Sequence, residues 1–191
     1  MYEGVVLKLN KPGYIGVIPT DTVYGVVARA VDNAAVARLY NLKHRHNKPG
    51  TVIAASIKQF EELGLKHRYL KAVEQFWPGA VSILIPTSNP DLRHITQGVF
   101  TMAVRVPANK ELVKLLQETG PLLTTSANLP GEPVAKSIAE AKKYFSADVD
   151  FYVDGGELSN HLPSTIIRVI DDAVEVVRQG EVTLPDGTIA P

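Results

Sequence analysis

Cysteine is absent from the chain. Its absence excludes disulfides, thiolate nucleophiles and thiolate metal sites. Long apolar runs are absent too. None approaches the ~20 residues of a membrane span, and the N-terminus lacks the basic-then-apolar order of a signal peptide. The expectation is a cytoplasmic protein. Net charge is missing as well, because 20 Lys and Arg balance 20 Asp and Glu. A neutral chain favours a focused anion site over a general nucleic-acid surface. Aromatic residues make up only 7%, and they are not interleaved with basic ones as single-strand binders require. No G-x-x-x-x-G-K-S/T phosphate loop, no G-x-G-x-x-G dinucleotide turn and no G-x-S-x-G nucleophile elbow occurs.

What is present suits a single domain over residues 1–191. A chain of 191 residues with 45% apolar and 21% charged content can bury a proper core. Its charge is unevenly spread. No acid lies between Asp32 and Glu61, yet Arg38, Lys43, Arg45, Lys48 and Lys58 lie there with His44 and His46. From Glu140 onward the balance reverses, with ten acids against Lys142, Lys143, Arg168 and Arg178. The basic segment reads either as chance clustering on a solvated face or as a local anion site.

Strands and helices alternate early. Tyr14–Pro19 reads as a buried strand that halts at Thr20-Asp21-Thr22. A helix capped by Asp32 or Asn33 runs to about Asn41, with Val36, Leu39 and Tyr40 inward. The polar loop Lys43–Gly50 leads to a strand at Thr51–Ala55, and Ser56 with Gln59 forms a capping box for a helix to about Leu63. A second helix, about Tyr69–Phe76, stops before Trp77-Pro78-Gly79, and Val81–Ile85 is a strand. Thr87–Gly98 is loop-like, and Thr101–Val106 is a strand. Asn109 caps the helix Glu111–Glu118, which Gly120 closes. Ser137 and Glu140 make another capping box, for a helix to about Phe145. Phe151–Val153, Pro163–Ile170 and Ala173–Arg178 are strands, the last two a hairpin turned at Asp171-Asp172. The pattern predicts an α/β domain with a mixed sheet.

Leu122–Pro133 (LLTTSANLPGEP) organises the chemistry. An apolar run turns abruptly into Thr124, Thr125, Ser126 and Asn128. At the strand period of two, Thr124, Ser126 and Asn128 share one face, while Leu123, Thr125 and Ala127 share the other. Such a strand end suits close reading of a polar ligand; a plain polar end before a turn is the alternative. Thr101, Ala103 and Arg105 likewise share a strand face. A buried arginine needs a partner. Either a neighbouring acid pairs with it, or its fork takes a ligand carboxylate or phosphate, and the ligand is favoured. Lys43 and Arg45 follow a helix directly, with Lys48 and Gly50 beyond. They suit a phosphate chain, and equally a helix terminus whose dipole favours cations. Ser164-Thr165 and Arg178 are weaker candidates. Asp21 reads as a turn cap in preference to a metal ligand, and His44 and His46 as loop residues lacking a third ligand. Together these residues describe a concave site of hydroxyls, amides and three or four cations, shaped for an anionic, phosphorylated ligand.

Four stretches resemble the YrdC-like family of threonylcarbamoyl-AMP synthases: Pro19–Gly25 (PTDTVYG), Leu42–Arg45 (LKHR), Ala103–Pro107 (AVRVP) and Ser126–Pro133 (SANLPGEP). Pro163-Ser164-Thr165 and Val177-Arg178-Gln179-Gly180 extend the likeness, which runs from about Tyr14 to Gly180 and rests on order and spacing jointly. The resemblance implies an open twisted mixed sheet flanked by helices around a large basic cavity. It also implies condensation of L-threonine, bicarbonate and ATP, usually with Mg²⁺, into threonylcarbamoyl-adenylate and pyrophosphate. The product would serve a separate tRNA threonylcarbamoyl transferase complex that modifies adenosine 37, and weak tRNA binding is a further expectation.

Carried over by resemblance, Thr22, Arg105 and Ser164 match threonine-binding positions. Arg45, Thr101, Thr124, Ser126 and Arg178 match ATP-binding ones. Lys43, Arg45, Ser126 and Asn128 match the family's signature catalytic set, and no residue is expected to ligate a metal. The loop His46-Asn47-Lys48-Pro49-Gly50 departs from the family's usual pattern, with Pro49 in the place of an amide or amine. Val134 stands where longer relatives have an ATP-contacting serine. The short N-terminal segment predicts that the family's leading helix is small or absent, and no second C-terminal domain is expected. The rival assignments are a carbamoyl-adenylate-handling domain and a non-catalytic RNA-binding module.

Overall fold

The structure is a computed structural model that describes residues 1–45, 47–171 and 173–184. A short helix, α1 (Val5–Leu9), precedes the antiparallel strands β1 (Ile15–Ile18) and β2 (Gly25–Arg29). Helix α2 (Asn33–Leu42) then starts where Asp32 accepts a 2.9 Å hydrogen bond from the Ala35 N–H, satisfying one of its free amides. Next come β3 (Thr51–Ile53), α3 (Ile57–Glu62), α4 (His67–Lys71) and β4 (Val81–Pro86). After α5 (Arg93–Thr96) and β5 (Thr101–Arg105), helix α6 (Lys110–Thr119) is capped by Asn109, whose side chain accepts from the Leu112 N–H. The chain continues through β6 (Leu122–Ser126), α7 (Ile138–Phe145), β7 (Phe151–Tyr152) and the hairpin β8 (Thr165–Ile170) and β9 (Ala173–Arg178).

Among the described residues the strands form one nine-stranded sheet, ordered β7-β1-β2-β6-β3-β5-β4-β8-β9. The pairs β7–β1, β3–β5 and β4–β8 are parallel, and the rest are antiparallel. The expected mixed α/β sheet is therefore present. Several local expectations need correction. β2 is a strand that the pattern did not announce; GVVAR is short, apolar and buried on both faces, so it shows no alternation. The expected helix Tyr69–Phe76 is instead α4 and a separate 3₁₀ turn, Glu74–Phe76, because Pro78 forces Trp77 into an extended conformation. The expected loop Thr87–Gly98 contains a 3₁₀ turn (Pro90–Leu92) and α5, both too short to show a period. At α3 the Ser56 hydroxyl makes no capping bond; Gln59 accepts from the Ala55 N–H and donates to the Leu116 carbonyl. The β8–β9 turn falls at Asp171, whose φ is 49°, while its other expected residue, Asp172, and His46 lie outside the described residues.

Helices α2, α3, α4, α5 and α7 pack apolar residues such as Val36, Leu39, Phe60, Leu70 and Phe145 against one face of the sheet. On the opposite face α1 and α6 bury Val5, Leu9, Leu112, Leu115 and Leu116 against Ile18, Val27, Ile53 and Leu122. Each fully buried leucine there contributes about 1.5–3 kcal/mol. These two helices are short, and along each strand of this face the chemistry changes where their cover ends. Leu122 gives way to Thr124 and Ser126, Ile53 to Thr51, and Val27 to Gly25. No helix among the described residues is long and apolar enough to cross a membrane.

Candidate active site

The uncovered part of that face is a cavity of about 400 Å³. Register builds its floor. Thr124 of β6 lies opposite Thr51 of β3, Thr51 opposite Ala103 of β5, and Ala103 opposite Leu84 of β4. Gly25 pairs with Ser126 one step further along. A Cβ at position 25 would come within 2.5 Å of the Thr124 hydroxyl, so only glycine lets β2 and β6 approach there. The walls include Thr22, Arg45, Lys48, Thr101, Arg105, Ser164 and Arg178. The lining thus has four cationic side chains and, among the described residues, no carboxylate.

One end of the cavity is organised by the turn after β1. The Thr20 hydroxyl donates to the Val23 carbonyl (2.7 Å) and accepts from the Thr22 N–H (3.2 Å). Asp21, expected as a turn cap, instead pairs with Arg105 Nη1, and its second oxygen accepts from the Ala108 N–H (3.3 Å). The acid-pair reading of Arg105 is therefore the one seen, and the arginine also lines the cavity. Ser164, another residue of the lining, is held twice. Its hydroxyl shares a 2.8 Å hydrogen bond with the buried Ser82 of β4, and its carbonyl accepts from Arg178 Nη2 at 2.6 Å.

The other end gathers cations. Arg45 Nη1 donates to the Lys48 and Pro49 carbonyls at 3.3 and 3.4 Å, so the atypical loop holds this arginine through its carbonyl groups. Pro49 itself lines the cavity, whereas Val134 is half-buried and does not. Burial lowers the Arg45 guanidinium from its ordinary value. Arg178 is lowered as well, first by burial and then by the charge of Arg45. Like charges facing one another without an acid between them are relieved by an anion.

Lys43 and Asn128 lie outside the main cavity. They line an adjoining cleft of about 410 Å³ that shares Arg45, Lys48 and Ser126 with it. Lys43, only 3% exposed, donates to the Ser126 carbonyl (2.8 Å), to the Asn128 carbonyl and to Asn128 Oδ1 (3.0 Å). The Ser126 hydroxyl donates to the same Oδ1 at 2.8 Å, and the Asn128 amide donates to the Glu132 carbonyl at 2.7 Å. This knot fixes the end of β6. Burial pushes the Lys43 ammonium down to about 7, and the charge of Arg45 adds to the effect. Its three oxygen partners and the Phe145 ring 5.8 Å away act in the opposite sense.

The eight expected threonine and ATP residues (Thr22, Arg45, Thr101, Arg105, Thr124, Ser126, Ser164 and Arg178) all line the main cavity, and Lys43 and Asn128 line its neighbour. Thr20, Thr51, Ser82 and Asp21 were not singled out as site residues. Ser82 did carry a signal, as a lone hydroxyl in the apolar strand VSILI. Thr125 also contributes to the lining, and its buried hydroxyl has no hydrogen-bond partner among the described residues. No cluster of three or more His, Asp or Glu side chains suits a metal among the described residues, and His44 stands in an exposed turn with φ 45°.

Comparison with known proteins places this geometry. The chain is 32% identical over 180 residues to the threonylcarbamoyl-AMP synthase of Pyrococcus abyssi, covering 92% of this chain and 53% of that one. It therefore spans about half of that longer relative. It is 33% identical over 183 residues to the threonylcarbamoyl-AMP synthase of Stutzerimonas stutzeri, covering 94% of this chain and 95% of that one. Among solved structures, P. abyssi Sua5 complexed with L-threonine superimposes with a TM-score of 0.81 at 31% identity, over 92% of this chain and 53% of that one. The model of the Sua5/YciO/YrdC family, described as "Telomere recombination", matches residues 8–180. By that match, which takes in every residue of the cavity, the chain belongs to the Sua5/YciO/YrdC family.

Proposed function

We propose that the chain is an L-threonylcarbamoyladenylate synthase, a nucleotidyltransferase that joins L-threonine, bicarbonate and ATP and releases pyrophosphate. The observation that carries this reading is the convergence of eight residues from far-apart segments on one cavity. At the turn end Arg105 takes the threonine carboxylate, with Thr22 and Ser164 beside it. At the other end Arg45 and Arg178 take the phosphates, with Thr101, Thr124 and Ser126 along the nucleotide. Lys43 and Asn128 fix the end of β6, and the Lys43 ammonium, when protonated, adds positive charge beside the phosphates.

The chemistry needs no covalent protein nucleophile. Threonine's amine adds to CO₂ drawn from bicarbonate and loses a proton, giving a carbamate. A carbamate oxygen attacks the α-phosphorus while the bond to the β-phosphate oxygen breaks. Catalysis is then positioning and charge neutralisation, and losing one preorganised donor costs on the order of 10²–10³ in rate. Mg²⁺ enters with the nucleotide: the lining supplies hydroxyls and cations and no carboxylate among the described residues, so phosphate oxygens would hold it. The adenylate passes to a tRNA threonylcarbamoyl transferase complex in the cytoplasm, and any direct tRNA contact is weak.

The test is pyrophosphate release from ATP. Release that requires both threonine and bicarbonate is expected. Dependence on carbamoyl phosphate would instead favour a carbamoyl-adenylate domain. RNA binding with a steep salt slope and no turnover would favour a binding module.

A further inference from the structure

Arg105 is held from behind. Its Nη1 pairs with Asp21 across 84 residues of sequence, and the two side chains are only 3% and 8% exposed. Arg105 lines the cavity but Asp21 does not. The acid therefore sits on the protein side of the guanidinium, where it can fix the group without touching a ligand. Asp21 is itself fixed. The Ala108 N–H donates to its second oxygen, and the Thr20 hydroxyl ties down the turn that carries it.

This arrangement leaves donors free. Arg105 Nε is buried without a hydrogen-bond partner, and Nη2 has none among the described residues. A guanidinium presents its donors as a planar fork, so anchoring one nitrogen sets the direction of the others. The pair is also electrically neutral, so Arg105 here acts mainly as an oriented donor.

We infer that Asp21 is a positioning residue for the amino-acid carboxylate: it holds Arg105 from behind so that the free part of the fork faces the cavity. The inference rests on the proposed role of Arg105. Supporting groups behind metal ligands change affinity or activity by about 10–100-fold when removed, and the same scale applies to a carboxylate that orients a guanidinium.

The test measures pyrophosphate release and calorimetric L-threonine binding for Asp21→Asn, Asp21→Glu and Arg105→Ala. Asp21→Asn is expected to raise the half-saturating threonine concentration about 10–100-fold. Its half-saturation for ATP and its turnover at saturating threonine should stay within about threefold of the parent, since uniform loss of binding raises KM alone. Asp21→Glu preserves the ion pair but pushes the guanidinium outward by a methylene, and about a tenfold rise is expected. It serves where Asp21→Asn does not fold. Adding Asp21→Asn to Arg105→Ala should cause no further loss of threonine affinity. Folded Asp21 variants with unchanged threonine half-saturation, beside an Arg105→Ala that loses it, overturn the inference alone. An Arg105→Ala with unchanged threonine half-saturation overturns the carboxylate assignment beneath it. Equal changes for threonine and ATP, or a lower melting temperature with both unchanged, make Asp21 merely structural and also overturn it.

Discussion

Arg45→Met separates what helps the empty protein from what helps the liganded one. Arg45 charge acts on both Lys43 and Arg178. Two unit charges repel by about 2–4 kcal/mol at separations of ~4–8 Å and an effective dielectric of ~20. Arg178 is exposed as a residue although its guanidinium is partly buried against Ser164, so water screens much of that share. Lys43 is buried, and relief there is worth about 1 kcal/mol after the same discount for half-buried Arg45. Against this stand the two Arg45–carbonyl hydrogen bonds, which at 3.3 and 3.4 Å are long. Their loss costs below about 1 kcal/mol each. The terms nearly cancel, so the empty variant should melt within about 4 °C of the parent. Binding behaves differently. A charge-assisted hydrogen bond to a phosphate is worth about 1.5–3 kcal/mol, so ATP affinity should fall about 10–150-fold. Thermal melting without ligand and nucleotide titration read the two quantities separately. An Arg45→Met protein that melts more than about 8 °C lower, yet binds ATP as tightly once folded, would refute the reasoning and make Arg45 an anchor of the 47–50 loop.

Other outcomes follow from the same geometry. Lys43 has a folded value of about 7, below that of an unfolded lysine. Between about 7 and 10 the unfolded chain therefore binds more protons, and this group's contribution to stability rises with pH, flattening below 7. Melting of the empty protein from pH 7 to 9 should show that slope, and Lys43→Met should remove it. Polyphosphate bound nearby should restore the ammonium, so calorimetry at pH 8 in buffers of different ionisation enthalpy should record uptake approaching about one proton. Arg105→Ala should lose threonine dependence while ATP still binds; near-normal turnover at ordinary threonine concentrations would refute that assignment. Gly25→Ala forces a Cβ within 2.5 Å of the Thr124 hydroxyl. It should cost about 1–3 kcal/mol and weaken nucleotide binding, read by melting and titration.

The sequence was most legible where one sheet face is half open. β5 and β6 alternate because Thr101, Ala103 and Arg105, and Thr124 with Ser126, meet the cavity while Met102, Val104 and Leu123 meet the core. Alternation failed at β2, whose Val26 and Val27 are buried on opposite faces in different clusters. Short range also limited the reading of Asp21. Beside Thr20 and Thr22 it has every local mark of a turn cap, and only the sheet brings Arg105 to it. Lys43 is similar. A lysine just after a helix suits solvent, but the Ser126 and Asn128 oxygens that surround it lie more than 80 residues onward.

The two ends of the cavity differ electrically, and the difference supports the proposed placing of the two ligands. At the turn end Asp21 already balances Arg105, and Thr22 and Ser164 are neutral hydroxyls. A single carboxylate accompanied by its own amine suits such a place, because neither partner leaves a buried charge unmatched. At the far end Arg45 and Arg178 act on one another, Lys48 also lines the cavity, and no acid stands among the described lining residues. There the empty protein stores repulsion that, under the proposed function, a triphosphate would remove and departing pyrophosphate would restore. The Arg178–Ser164 hydrogen bond joins the proposed phosphate residue to the backbone of a proposed threonine residue. If nucleotide binds at Arg178 as proposed, it acts on the position of Ser164, and calorimetric titration of L-threonine with and without ATP should show each substrate tightening the other.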